Sequence, residues 1–201
     1  MSRRRLSFLL VILGLLLPLR TFATMVVAPE FNSLVSQADY VVRAVVVSVN
    51  SEWRTAGQNQ HIITKVALDV KQVIKGTPPQ PLVLELLGGT VDGVTLHVEG
   101  APTFNVGEEN ILFVHGNGRQ FIPLVALEHG QFPVQRDAKT GKDYVLRSNG
   151  MPLYSEGDVS LPMTQLSDYK TKNPSAQPLT TEGFIGKIRS AGPATRLPPQ
   201  N

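Results

Sequence analysis

From Tyr40 onward the chain never runs far without a residue that ends regular structure. Between Tyr40 and Arg147, short runs of Val, Ile, Leu, Phe and Tyr alternate with clusters of Gly, Pro, Asn and Asp. Such runs are too short for ordinary helices, and their β-branched side chains favour extended backbone. Each run stops where proline removes a ladder donor or glycine admits a positive φ. Seven to nine short strands follow from the pattern, with turns every 8–12 residues. That spacing predicts an antiparallel β-barrel or sandwich. It argues against βαβ units, whose parallel strands need helix-length crossovers.

The segments are individually readable. Tyr40 to Val49 is a strong strand, and Asn50 to Gln60 reads as a polar loop. His61 to Ile74 is a second strand whose alternation fails at Val66-Ala67-Leu68, where a bulge fits. Lys75 to Pro79 is a turn and Leu82 to Leu87 a third strand, broken by Gly88-Gly89. Asp92-Gly93 between Thr90-Val91 and Val94 to Val98 is a hairpin signal. Ile111 to His115 is expected to turn at Gly116-Asn117-Gly118 into a strand from Phe121 to Leu127. Phe132 to Gln135 and Tyr144 to Arg147 complete the set. Ahead of the strands, residues 29–39 place Phe31, Leu34, Val35 and Ala38 on one helical face. Near the end, Thr180 or Thr181 can cap a helix through Ser190 that carries Phe184, Ile185 and Ile188.

The chain opens as an export address. Arg3, Arg4 and Arg5 precede an apolar run from Leu6 to Leu19, and small residues flank a cut after Ala23. This is the layout of a cleaved secretory signal. The run has 14 residues, short of the ~18 that a membrane span needs. The expected organisation is a signal peptide at 1–23 and a β-barrel domain at 27–150. A C-terminal extension with a short helix at 151–190 and a disordered tail at 191–201 follow. Cleavage also changes the charge. The 19 basic residues lose Arg3, Arg4, Arg5 and Arg20, leaving 15 against 16 acids, a net of −1. The sequence pI of about 9.3 is therefore no argument for nucleic acid or an anionic membrane. There is no cysteine, which removes disulfide scaffolds, zinc ribbons and thiol enzymes. An exported domain without crosslinks must be held by its core alone.

From Leu34 to about Gln135 the chain resembles a family of secreted, largely uncharacterised bacterial proteins. The resemblance is carried by Ala38-Asp39-Tyr40-Val41-Val42, by Val70 to Lys75-Gly76, by Gly88-Gly89-Thr90, by Pro102-Thr103-Phe104, and by Gly107-Glu108 before Ile111 to Val114. The same strand order is similar to the netrin-like module, an OB-type barrel found in metalloproteinase inhibitors. That resemblance implies a small antiparallel five-stranded barrel with added hairpins, and a structural role for Glu108 as an acceptor of backbone N–H groups. The inhibitors present an N-terminal cysteine and several disulfides. This chain has neither, so the inhibitory chemistry has no residue to carry it.

Candidate chemistry is sparse. His61, His97, His115 and His129 form no metal-binding spacing, and His97 with Glu99 reads as an exposed pair on one strand face. No G-x-S-x-G is present, and Glu108-Glu109 points to opposite faces if extended. No catalytic residue, metal site or cofactor is expected. Binding is expected at Trp53 and Arg54 in the 50–60 stretch and at Asp92 and His97 in the 88–98 hairpin. The expectation is a secreted, mainly β, non-catalytic binding module, periplasmic or extracellular. Its partner is a protein or another extracytoplasmic ligand, not nucleic acid, and no transmembrane segment remains after cleavage. The alternatives are an inhibitor of a secreted protease and a hydrolase without a readable motif.

Overall fold

A computed structural model describes residues 28–191. The expected signal peptide and residues 192–201 of the expected tail lie outside the described residues. The fold is mainly β. Helix α1 (Phe31–Gln37) leads into strands β1 (Tyr40–Ala56), β2 (Asn59–Lys75), β3 (Leu82–Leu87), β4 (Gly89–Val91), β5 (Val94–Leu96) and β6 (Glu109–Val114). A 3-10 turn (Leu127–Gly130), β7 (Gln131–Arg136) and β8 (Asp143–Val145) follow. A second 3-10 turn (Glu156–Ser160) precedes α2 (Asp168–Lys172) and α3 (Thr181–Ala191). Six strands form one antiparallel sheet in the order β3-β2-β1-β6-β7-β8, and β4-β5 is a separate hairpin.

The expected barrel does not close. The sheet ends at β3 on one side and β8 on the other. After β6 the chain returns toward β3, but not as the strand expected from Phe121 to Leu127. It carries Gly116 and Gly118 at positive φ, Pro123 without a donor, and two left-handed non-glycine residues, Ala126 and Leu127. A continuous ladder cannot be built from that backbone, and among the described residues only one bridge forms with β6, between Leu124 and Val114. Isolated bonds bridge the gap instead. Asn117 Nδ2 donates to Val83 O at 2.8 Å, and Leu87 N donates to Phe121 O at 2.6 Å.

Around the first half of β1 and around β6 the sheet is buried on both faces, which explains the nearly unbroken apolar run that opens β1. Tyr40, Val42, Ala44 and Val46 enter one core with Val66, Leu68, Leu82, Leu84, Leu86, Phe104, Leu112 and Val114. Val41, Ile111, Phe113, Phe132 and Val145 enter the other, which α1 and α3 cover. In that second core Phe184 lies 5.1 Å from Phe132, 5.8 Å from Phe31 and 6.2 Å from Phe113, ring centre to ring centre. Tilted aromatic contacts of this kind add to the burial term. Leu153 and Val159 also belong to it, so residues beyond 151 pack directly on the sheet. Of the two expected caps, Thr180 serves: its Oγ1 accepts from Gly183 N at 3.2 Å.

Two turns of the resemblance acquire physical roles. Lys75 donates from Nζ to Val35 O at 2.6 Å and to Ala38 O at 2.7 Å, satisfying orphan carbonyls at the end of α1. Gly76 follows at φ +72°, where a Cβ would lie 2.3 Å from Asp39 O. Asp39 in turn accepts from Gly116 N at 2.8 Å. That bond, with the His115 and Arg119 charges, holds its carboxyl below the usual carboxylate range against the effect of burial. Glu108 accepts from Asn105 N at 3.1 Å, the backbone-accepting role expected of it.

Candidate functional site

The 50–60 stretch is strand, not loop. β1 continues to Ala56 and pairs in register with β2 from Asn59, with Gly57 at φ +63° in the turn. The sequence is polar there because the far end of the ribbon is held by cross-strand charge. Arg54 grips Glu85 with two bonds of 2.8 Å, and Lys65 reaches Glu52 at 2.7 Å. Hydrophobic patterning misses a strand stabilised in this way. The expected bulge also exists, but its extra residue is on β1. Val46 pairs with Leu68 and Ser48 with Ala67, leaving Val47 without a partner. That residue switches the inward positions of β1 from Tyr40, Val42, Ala44 and Val46 to Val49, Ser51 and Trp53.

The β4–β5 hairpin lies across this inward face. Its Asp92-Gly93 tip has φ of +50° and +78°, the sign pattern of a type I′ turn and the one the dipeptide predicts. At its base, Gly89 has φ +130°, and a Cβ there would stand 2.4 Å from both Ser51 Oγ and Thr64 Oγ1. Only glycine permits that approach. Thr64 Oγ1 donates to Gly88 O at 2.7 Å and lies 2.9 Å from Ser51 Oγ.

Between hairpin, ribbon and the 101–104 segment is a cavity of about 320 Å³. Val49, Val66, Leu86, Val98, Ala101 and Phe104 supply its apolar walls. The Ser51 and Thr64 hydroxyls are its inner polar groups, and exposed Thr90, Thr95 and His97 are at its rim. Leu127, at φ +59°, comes within 3.1 Å of the Cβ position of Gly100, between Val98 and Ala101 in the chain, and packs on the same core as they do. Leu127 and its neighbour Ala126, at φ +53°, are left-handed without being glycine, a local strain of ~1–3 kcal/mol each.

The structure separates the residues expected to bind. His97 lines the cavity, and its Nε2 meets Glu99 Oε2 at 3.3 Å, the exposed pair expected from their spacing. Trp53 is 43% exposed and shares the face of Ser51 two residues along the strand. Arg54 is on the opposite face, committed to Glu85, whose carboxyl is lowered chiefly by that bond. Asp92 is at the hairpin tip and does not line the cavity. Sequence reasoning missed Ser51, Thr64 and Gly89. Hydroxyls at inward positions of otherwise apolar strands were the available signal, but the bulge at Val47 hid the parity that makes Ser51 inward.

A second polar centre holds the C-terminal segment. Buried Arg147 donates to Gln165 O at 3.0 Å, to Pro162 O at 2.9 Å and to Leu161 O. Buried Asp158 accepts from Tyr154 N at 2.8 Å, Ser155 N at 3.0 Å and Ser167 Oγ at 2.8 Å. These bonds fix loops and leave no reactive group free. Among the described residues no group of three or more His, Asp or Glu side chains is placed to hold a metal ion. No helix among them is long and apolar enough to cross a membrane. Compared with family models, curated proteins and solved structures, the chain matches none.

Proposed function

We propose that the protein is an exported, non-catalytic binding module of the OB or netrin-like kind, whose ligand enters the cavity beneath the β4–β5 hairpin. The observation that carries this proposal is the cavity itself. Its volume of about 320 Å³, apolar walls and few inward polar groups have the form of a small-ligand site. His97 lines it from the hairpin, and Trp53 is at the next inward position of the ribbon after Ser51. Export is supported by Arg3 to Arg5, the apolar run to Leu19 and the small residues before Thr24. Binding is favoured over hydrolysis because Ser51 Oγ is bonded to Thr64, while His97 is bonded to Glu99.

The test is a two-dimensional amide NMR titration of the mature protein with a library of small neutral fragments. Binders should shift the amides of Gly88, Gly89, Leu96 and Phe104 and leave Ile185 in α3 unmoved. Ala101→Leu, which fills the cavity from its wall, should abolish those shifts while the rest of the spectrum is retained. Binders that shift only residues elsewhere, or that survive Ala101→Leu unchanged, would overturn the proposal.

A further inference from the structure

The hydroxyl groups of the cavity do more than add polarity: their hydrogens are already assigned. Thr64 has one hydroxyl hydrogen, and it goes to the carbonyl of Gly88, which can only accept. The 2.9 Å contact with Ser51 therefore has Ser51 as donor and Thr64 as acceptor. Ser51 has then spent its single hydrogen. Its oxygen retains lone pairs, and no described group donates to them. The chain Ser51 to Thr64 to Gly88 thus presents an acceptor, not a donor, to whatever enters.

The surrounding charge agrees. The lining contains no Lys or Arg, and its one ionisable side chain, His97, is exposed at the rim and bonded to Glu99. An anion would lose its hydration without gaining a fixed donor or a cation inside the cavity. A cation would find no carboxylate among the lining residues. The Thr90 and Thr95 hydroxyls, 2.9 Å apart, retain one hydrogen to donate, and the Thr103 hydroxyl keeps its own, but all three residues are exposed where water competes.

We propose that the cavity selects a neutral, compact molecule or side group with an apolar body and one hydroxyl or amide N–H, which donates to Ser51 Oγ. This rests on the cavity being the binding site, and the experiment keeps the two ideas apart. Matched probes are titrated into the protein and followed by amide NMR. Cyclohexanol is compared with cyclohexanone, which accepts but cannot donate, and with cyclohexanecarboxylate. N-methylacetamide is compared with N,N-dimethylacetamide, which lacks the N–H. The donor-bearing member of at least one pair should bind about five-fold more tightly, the yield of one neutral hydrogen bond. The carboxylate should bind more than ten-fold more weakly than cyclohexanol. Ser51→Ala should erase the donor preference, since it removes the acceptor while Thr64 keeps its bond to Gly88. Cavity shifts with no donor preference in either pair, or with the carboxylate bound best, would overturn this inference while leaving the cavity as the site. Absence of cavity shifts with every probe would overturn both.

Discussion

Gly89→Ala isolates the contact that builds the cavity. Two costs are expected. The first is conformational: at φ +130° an L-residue is strained by ~1–3 kcal/mol. The second is steric. The new methyl would stand 2.4 Å from two hydroxyl oxygens on adjacent strands, well inside any real contact. The hairpin base must lift, and the Thr64 bond to Gly88 O, worth ~1 kcal/mol, is lost with it. The sum is about 2–4 kcal/mol. Gly93→Ala is the control. It also sits at positive φ, +78°, but a Cβ there meets nothing within 4 Å. It should cost only the conformational part, about 1–2 kcal/mol. For a domain of this size each kcal/mol moves the melting temperature by roughly 2–4 °C. Calorimetry of both variants should therefore place Gly89→Ala several degrees below Gly93→Ala. Equal melting temperatures would refute the close approach and the packing of the hairpin on the ribbon.

Three further outcomes are expected. Phe184→Ala removes the ring shared by Phe31, Phe113 and Phe132, and denaturant unfolding should show a loss of about 3–5 kcal/mol; a loss under 1 kcal/mol would mean that α3 is not docked as described. Arg147→Met strips the carbonyls of residues 161, 162 and 165 of their donor, so stability should fall by about 2–3 kcal/mol and amide hydrogen exchange should accelerate between residues 148 and 165, whereas unchanged exchange there would contradict the clamp. His129 is held below its ordinary value by burial first and by the Arg147 charge second, so the unfolded chain takes up its proton at a higher pH than the folded one. Stability should therefore fall as pH drops below about 6.5, and His129→Gln should flatten that slope in pH-dependent unfolding; an identical slope would refute it.

Much of the fold was legible because its local chemistry is explicit. Leu82 to Leu87 alternates as a strand with one buried face should, and Asp92-Gly93 adopts the turn its side chains permit. α3 begins at the cap Thr180 offers. What was hidden is non-local. The ribbon from Ser51 to Gln60 is stabilised by charge pairing across strands, and one of the partners, Glu85, is distant in sequence. The return after β6 is apolar enough to read as a strand, yet Ala126 and Leu127 turn left-handed and bring Leu127 against Gly100. The folding of residues 151–180 depends on Arg147 and Asp158, which look like ordinary surface charges until their partners are known. Closure of the barrel failed for a similar reason, since it depends on the backbone of the return segment and not on apolar content. The cavity was half legible: the hairpin that carries His97 was read from the sequence, but the inward hydroxyls of Ser51 and Thr64 were not.

The unpaired residue Val47 gives β1 a change of phase. Before it, even-numbered side chains face the interior; after it, odd-numbered ones do. Were Val47 instead paired as an ordinary rung of the ladder, with no residue bulged out, the distal ribbon would turn over as a unit. Glu52 and Arg54 would face the interior, while Ser51 and Trp53 would face solvent. The cavity would gain buried charge, and Gly89 would lose the Ser51 hydroxyl it rests on. The character of the cavity is thus set by a frame, and a one-residue slip of register in this strand is a change of chemistry even though every side chain is kept.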